Sequence, residues 1–208
     1  MRRHEEEFAR LPILAELAVE PDRDRALKLV AGAEAASLPK DSKLGRSYLE
    51  QPERHFSIKE AYSGKIGGID ALLVWTGSNV QMINTGGVRA SSGSSTGCTY
   101  AFGTLPAAVP WAAGWKRPRG VPFDPATQAS GGDPAFDQAF LLAADEPAKT
   151  LSPGAVDALT SADRGLFVWF VYFDDQFALH TPVSPDADGG CGDAMLRLAV
   201  AVAASYDG

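Results

Sequence analysis

The chain has 208 residues, 45% of them hydrophobic and 22% charged, a balance that excludes global disorder and fibrous repeats and suits one generous core. Its 26 acidic residues outnumber 19 basic ones, for a formal net charge of -7. That charge excludes a non-specific nucleic-acid binder, which needs a surplus of Lys and Arg to displace counterions from phosphates.

The chain begins "MRRHEEEFARLPILAELAVEPD", where Pro12 and Glu16 interrupt the short apolar stretch and deny it the character of a secretory leader. The longest apolar run, "GLFVWFVYF", has nine residues, far short of the roughly 20 needed to cross a bilayer. A cytoplasmic protein without a membrane span is the expectation. Leu11, Leu14, Leu17 and Ala18 recur at helical spacing, and Pro12 and Pro21 divide the pattern. The reading is a short helix over 3–19 and a second over 22–37, capped by Asp22. "LPKDSKLGRSYLEQPERH" then reads as an irregular linker punctuated by Pro39, Gly45 and Pro52. Residues 1–54 thus form a helical extension and linker, and 55–208 an α+β domain.

From Phe56 the period changes to two. "HFSIKEAYSG" and "GGIDALLVWTG" are two strands joined at Gly64 to Gly68. "SNVQMINTGGVRASSGSSTG" follows as a long Gly/Ser-rich connection, then "CTYAFGTL" as a strand. The segment from Pro106 to Asp137 holds six prolines and cannot be regular throughout, so it crosses the sheet or its edge, with Trp111 and Trp115 as anchors. "AFDQAFLLAAD" resumes as a strand. "SPGAVDALTSA" is a helix with Ser152 as cap and Pro153 in its first turn. "GLFVWFVYF", the turn "DDQ" and "FALHTP" make a hairpin whose first strand, apolar on both faces, is central in its sheet. "AMLRLAVAVAASY" closes the chain as a helix packing Leu196, Val200 and Ala203 on the sheet. The expected fold is α+β: a mostly antiparallel sheet of about five or six strands with helices on one face, preceded by an N-terminal helical segment.

The box "GDPAFDQAF", Gly132 to Phe140, starts a turn at Asp133-Pro134, offers Asp137 as a cap or buried acceptor, and points Phe136 and Phe140 into the core. Together with "FGTLP" before it and "LSPGAVDALTSADRGLFVWFVYFDDQFALHTP" after it, the box resembles that of a poorly characterised group of bacterial domains with a GDPxFDxxF motif, over residues 57 to 183. The resemblance implies a fold type and a bacterial origin, and brings no catalytic residue.

Chemistry-bearing patterns are sparse. Cys98 and Cys191 lack CxxC or metal spacing, and three histidines without helical pairing give no zinc set. No cofactor or metal is expected. There is no GxSxG elbow, and "SGKIGG" lacks the spacing of a phosphate loop. A thiol-dependent hydrolase would need Cys98 beside His180, oriented by Asp174 or Asp175. Against this, Cys98 shares a strand face with Tyr100 and Phe102 and reads as a small core residue. The basic cluster "WKRPRG" (Trp115 to Gly120) suits either an acidic partner or a solvated loop. The Gly/Ser-rich connection carries Val80, Met82, Ile83, Val88 and Arg89 as candidate binding residues, since long connections of this kind often hold binding function.

These features favour a non-enzymatic binding or accessory module for a protein partner, basic if it complements the chain's charge. The alternatives are the Cys98/His180 hydrolase and a small-molecule binder walled by Trp169, Tyr172 and Phe177.

Overall fold

In the computed structural model, residues 16–78, 97–118, 120–125, 128–163, 165–182 and 191–206 are described. The alternation read from the sequence is the organising feature of the sheet. Leu73, Ala101, Phe170, Tyr172, Phe177 and Leu179 turn to one side. Leu72, Val74, Tyr100, Phe102, Val171 and Ala178 turn to the other. Since successive side chains of a strand point to opposite faces, two apolar faces need two covers. The protein is α+β, with one antiparallel sheet and helices on both faces, where the sequence pattern led to one.

The strands are β1 (Ala18–Val19), β2 (Phe56–Ile66), β3 (Ile69–Ser78), β4 (Gly97–Thr104), β5 (Ala112–Lys116), β6 (Phe140–Ala144), β7 (Trp169–Phe173) and β8 (Gln176–Thr181). They lie in the order β1-β2-β3-β4-β8-β7-β5-β6, and every pairing is antiparallel. The β2–β3 turn has Gly67 and Gly68 at positive φ, the geometry that the Gly-rich dipeptide supplies. Strands β7 and β8 are the expected hairpin, with β7 interior between β8 and β5.

Among the described residues eight strands stand where about five or six were expected, and the surplus has physical causes. Strand β5 hides in the proline-rich segment, where Pro110 and Pro118 lie outside its ends and leave every internal amide free to pair. Strand β1 occupies what the helical spacing of Leu14, Leu17 and Ala18 assigned to a helix. Ala18 and Val19 instead pair with Ser63 and Tyr62, and Glu20 donates its amide to the Ala61 carbonyl. The remainder of that predicted helix, residues 3–15, lies outside the described residues.

Helix α1 (Arg23–Ala36) is the second predicted helix, and Asp22 caps it by accepting from the Arg25 amide at 2.8 Å. Its buried positions Ala26, Val30 and Ala33 keep helical spacing and pack on the face of Val74, Tyr100 and Val171. The expected irregular linker is helical in two pieces, α2 (Lys43–Glu50) and α3 (Pro52–His55). Ser42 accepts from the Gly45 amide and caps α2, and Pro52 opens α3 at a position where its missing N–H costs nothing.

The "GDPAFDQAF" box forms α4 (Pro134–Ala139) running straight into β6, so half of a segment read as strand is a helix. Asp133 caps it, accepting from the Phe136 amide at 2.8 Å. Asp137 is buried and accepts from the Gly131 amide at 2.7 Å and from the Ser130 hydroxyl. Phe136 and Phe140 meet in the core with ring centroids 4.9 Å apart. Beyond the short α5 (Pro147–Thr150), Ser152 caps α6 (Pro153–Ser161), accepting from the Ala155 amide. Helix α7 (Cys191–Ala204) buries Leu196, Val200 and Ala203 as the period predicted, with Met195, Ala199 and Val202 beside them.

Candidate functional site

Cys98, Tyr100 and Phe102 alternate onto the face covered by α1, and the β4–β8 register sets Tyr100 opposite His180. Helix α1 lowers Glu34 over this pair. The Tyr100 hydroxyl donates to Glu34 Oε1 at 2.6 Å, and His180 Nε2 lies 3.9 Å from the same oxygen. The imidazole stacks on Trp169 at 4.7 Å between centroids and 12° between planes, and the Tyr100 ring stands 4.9 Å away. A tyrosine, a glutamate and a histidine are thus gathered between one helix and three strands.

Burial sets the charge state of the cluster, because removing an ion from water favours its neutral form. Burial lowers His180 to about 4, so its imidazole is neutral at pH 7. Burial also raises Glu34, against the opposing pull of the Tyr100 hydrogen bond. Tyr100 is raised well above its ordinary value by burial and by the Glu34 carboxyl. The same two causes raise Tyr48 on α2 and push the Cys98 thiol up to about 11. His180 Nδ1 is buried without a hydrogen-bond partner among the described residues.

The two residues of the proposed thiol pair are therefore neighbours on one sheet face without being coupled. Tyr100 faces His180 across the register, Cys98 is one pleat removed, and no hydrogen bond joins thiol to imidazole among the described residues. Asp174 and Asp175, considered as orienting carboxylates, sit in the β7–β8 turn at the far end of β8 from His180. The carboxylate that reaches His180 is Glu34, 146 positions away in sequence. The Cys98 thiol is expected to react with iodoacetamide at pH 8 at least about tenfold more slowly than N-acetylcysteine, because so little of it is thiolate. Peptide mass spectrometry over a time course measures this, and alkylation as fast as the free thiol would restore an activated nucleophile.

The candidate binding residues Val80, Met82, Ile83, Val88 and Arg89 lie outside the described residues. Trp169, Tyr172 and Phe177 are buried in the core and form no open wall, which corrects their reading as the side of a ligand pocket. A hairpin apolar on both faces is consumed by the two helical covers. Among the described residues, no three His, Cys, Asp or Glu side chains are placed to hold a metal, and no helix is long and apolar enough to cross a membrane.

Open concavities lie elsewhere. A groove of about 280 Å³ runs between α1 and α2, walled by Gly32, Ala36, Gly45, Leu49 and Phe173, with Lys40 and Arg46 among its polar residues. Ser42, Gly45, Arg46 and Leu49 share one face of α2 at helical spacing, and this face lines the groove. Leu49 is 60% exposed there. A second cavity, of about 330 Å³, lies between the end of β5, α4 and α6. Fold and site together define an α+β protein with an open eight-stranded antiparallel sheet clad on both faces. No protein-family model, curated protein or solved structure matches the chain.

Proposed function

We propose that this chain is a non-enzymatic binding module for a protein partner, acting in the cytoplasm. The observation that carries the reading is the groove between α1 and α2, where Leu49 is held largely in solvent above an apolar floor that includes Phe173. An apolar side chain entering such a groove gains burial worth about 25 cal/mol for each Å² removed from water. The net charge of -7 favours a basic partner for the surface at large. At this groove Lys40 is paired with Asp145 at 2.7 Å, and Asp174 lines the groove together with Arg46. The segment that complements the groove is apolar.

The experiment is a quantitative pull-down at low and moderate salt with the wild-type protein, Leu49→Glu, a deletion of residues 79–97 and a charge-matched control protein. One stoichiometric partner retained by the wild type and lost with Leu49→Glu supports this surface. Loss only on the deletion moves the surface to the Gly/Ser-rich connection, and no stoichiometric partner overturns the reading.

A further inference from the structure

The groove between α1 and α2 carries its own complement. We infer that the partner it receives is a second copy of this chain, docked about a two-fold axis. The inference rests on the reading of this groove as a protein-binding surface and names the partner.

Shape is the first reason. A two-fold interface is isologous, so one patch must hold both the projecting groups and the recess that receives them. Here Leu49 projects from the α2 wall, 60% exposed. The recess beside it, of about 280 Å³, is lined by Gly32, Ala35, Ala36 and Gly45, residues with one methyl group or none, so it stays open to an incoming side chain. Leu49 of each copy enters the recess of the other, and both leucines leave water in one step.

Charge is the second reason, and it discriminates between occupants. The charged groups that line the groove are Lys40, Arg46 and Asp174. Lys40 is held by Asp145 at 2.7 Å. Arg46 on α2 and Asp174 in the β7–β8 turn are exposed, and neither makes an ion pair among the described residues. A basic segment meets Arg46 as well as Asp174, and an acidic one meets Asp174 as well as Arg46, so for each an attraction is offset by a repulsion. A second copy presents Asp174 to Arg46 and Arg46 to Asp174, and symmetry makes the pair twice.

The net charge of -7 does not oppose this pairing at the groove, where Lys40 and Arg46 balance Asp145 and Asp174. Repulsion between the rest of the two copies is screened beyond about 8 Å at physiological salt. Two leucines and two ion pairs make a small interface, which sets the dissociation constant at roughly 10 to 100 µM.

The test is sedimentation velocity of the full-length protein from about 5 to 500 µM, for the wild type, Leu49→Glu, Arg46→Glu and Asp174→Lys, and for an equimolar mixture of the last two. All three positions are exposed, and thermal melting confirms that each variant is folded. The wild type is expected to dimerise, and each variant alone to do so about tenfold or more weakly. The mixture is expected to recover dimers to within about threefold of the wild type, because the new acid of one variant then faces the new base of the other, beside one native pair. A wild type that is monomeric throughout overturns the inference. So does a dimer that Leu49→Glu leaves unchanged, or a mixture that associates no better than either variant alone. A monomeric wild type that still retains another protein in the pull-down, lost with Leu49→Glu, removes the second copy as partner and leaves the protein-binding reading standing.

Discussion

Gly103→Ala is expected to destabilise the protein by about 3 kcal/mol, the upper part of the usual range for overpacking a filled core. A Cβ at this position would stand 2.6 Å from the Ala199 carbonyl oxygen, 3.0 Å from its carbon and 3.1 Å from the Ala203 Cβ. The first two obstacles are helix backbone, so no rotamer relieves them. Helix α7 would have to lift from β4, loosening Met195, Leu196, Ala199 and Ala203, all fully buried. The same substitution at Gly45 supplies the contrast. There the nearest obstacle, the Ala35 carbonyl oxygen, is 3.4 Å away, and the residue is helical, so alanine is expected to stabilise by up to about 1 kcal/mol. Urea denaturation of the two variants measures both signs, and a wild-type midpoint for Gly103→Ala would show that α7 does not lie so close to β4.

Elements whose pattern is local and uninterrupted were legible in the sequence: the β2–β3 and β7–β8 hairpins, the Asp22-capped α1, the Ser152-capped α6 and the final helix. Each is specified by its own periodicity and by a cap or turn residue in place. What escaped depends on partners distant in sequence. Nothing within "LAELAVE" distinguishes two edge-strand residues from the tail of a helix, because the deciding bonds are to Ser63 and Tyr62. Strand β5 is only five residues with a glycine at its centre. Gly114 is required there because a Cβ would meet the Phe170 ring at 2.2 Å, a long-range constraint invisible locally. The two-faced cladding was legible in β7, apolar on both sides, yet an expectation of helices on one face set that signal aside.

The polar cluster was half legible. Alternation placed Cys98 and Tyr100 on one face, and His180 stood out as a polar ring at the end of an apolar strand. Glu34 did not, since "AGAEAAS" reads as an ordinary helical surface and the carboxylate is drawn in only because α1 packs against Tyr100. Reasoning from sequence proximity supplied Asp174 and Asp175 in its place, and strand direction sends these to the opposite end of β8.

Lowering the pH from 7 to 4 is expected to remove about 3 kcal/mol of stability through His180. Its folded pKa of about 4 lies below the ordinary 6.5, and each pH unit between the two is worth about 1.4 kcal/mol. As pH falls through 6.5 the unfolded chain takes up this proton first, so the contribution is complete above 6.5, declines through the window and is fully lost below about 4. Glu34 acts in the opposite sense. Its raised pKa lets the folded state bind a proton before the unfolded state does, so its protonation returns part of the loss. Of the other groups that face the pair, Tyr48 and Tyr100 are raised from 10 and Cys98 to about 11, so none titrates in this window. His180→Phe keeps a ring to stack on Trp169 and is expected to flatten the dependence between pH 6.5 and 4. Glu34→Gln keeps an acceptor for Tyr100 and is expected to steepen it, because the compensating proton is gone. Denaturation midpoints of the three proteins across pH 4 to 8 read these slopes. A His180→Phe slope equal to the wild type's would mean that the imidazole reaches solvent and takes its proton near 6.5. The stacked geometry over Trp169 and the orphaned Nδ1 argue otherwise, and they make His180 a neutral ring in the cluster that holds α1 to the sheet at physiological pH.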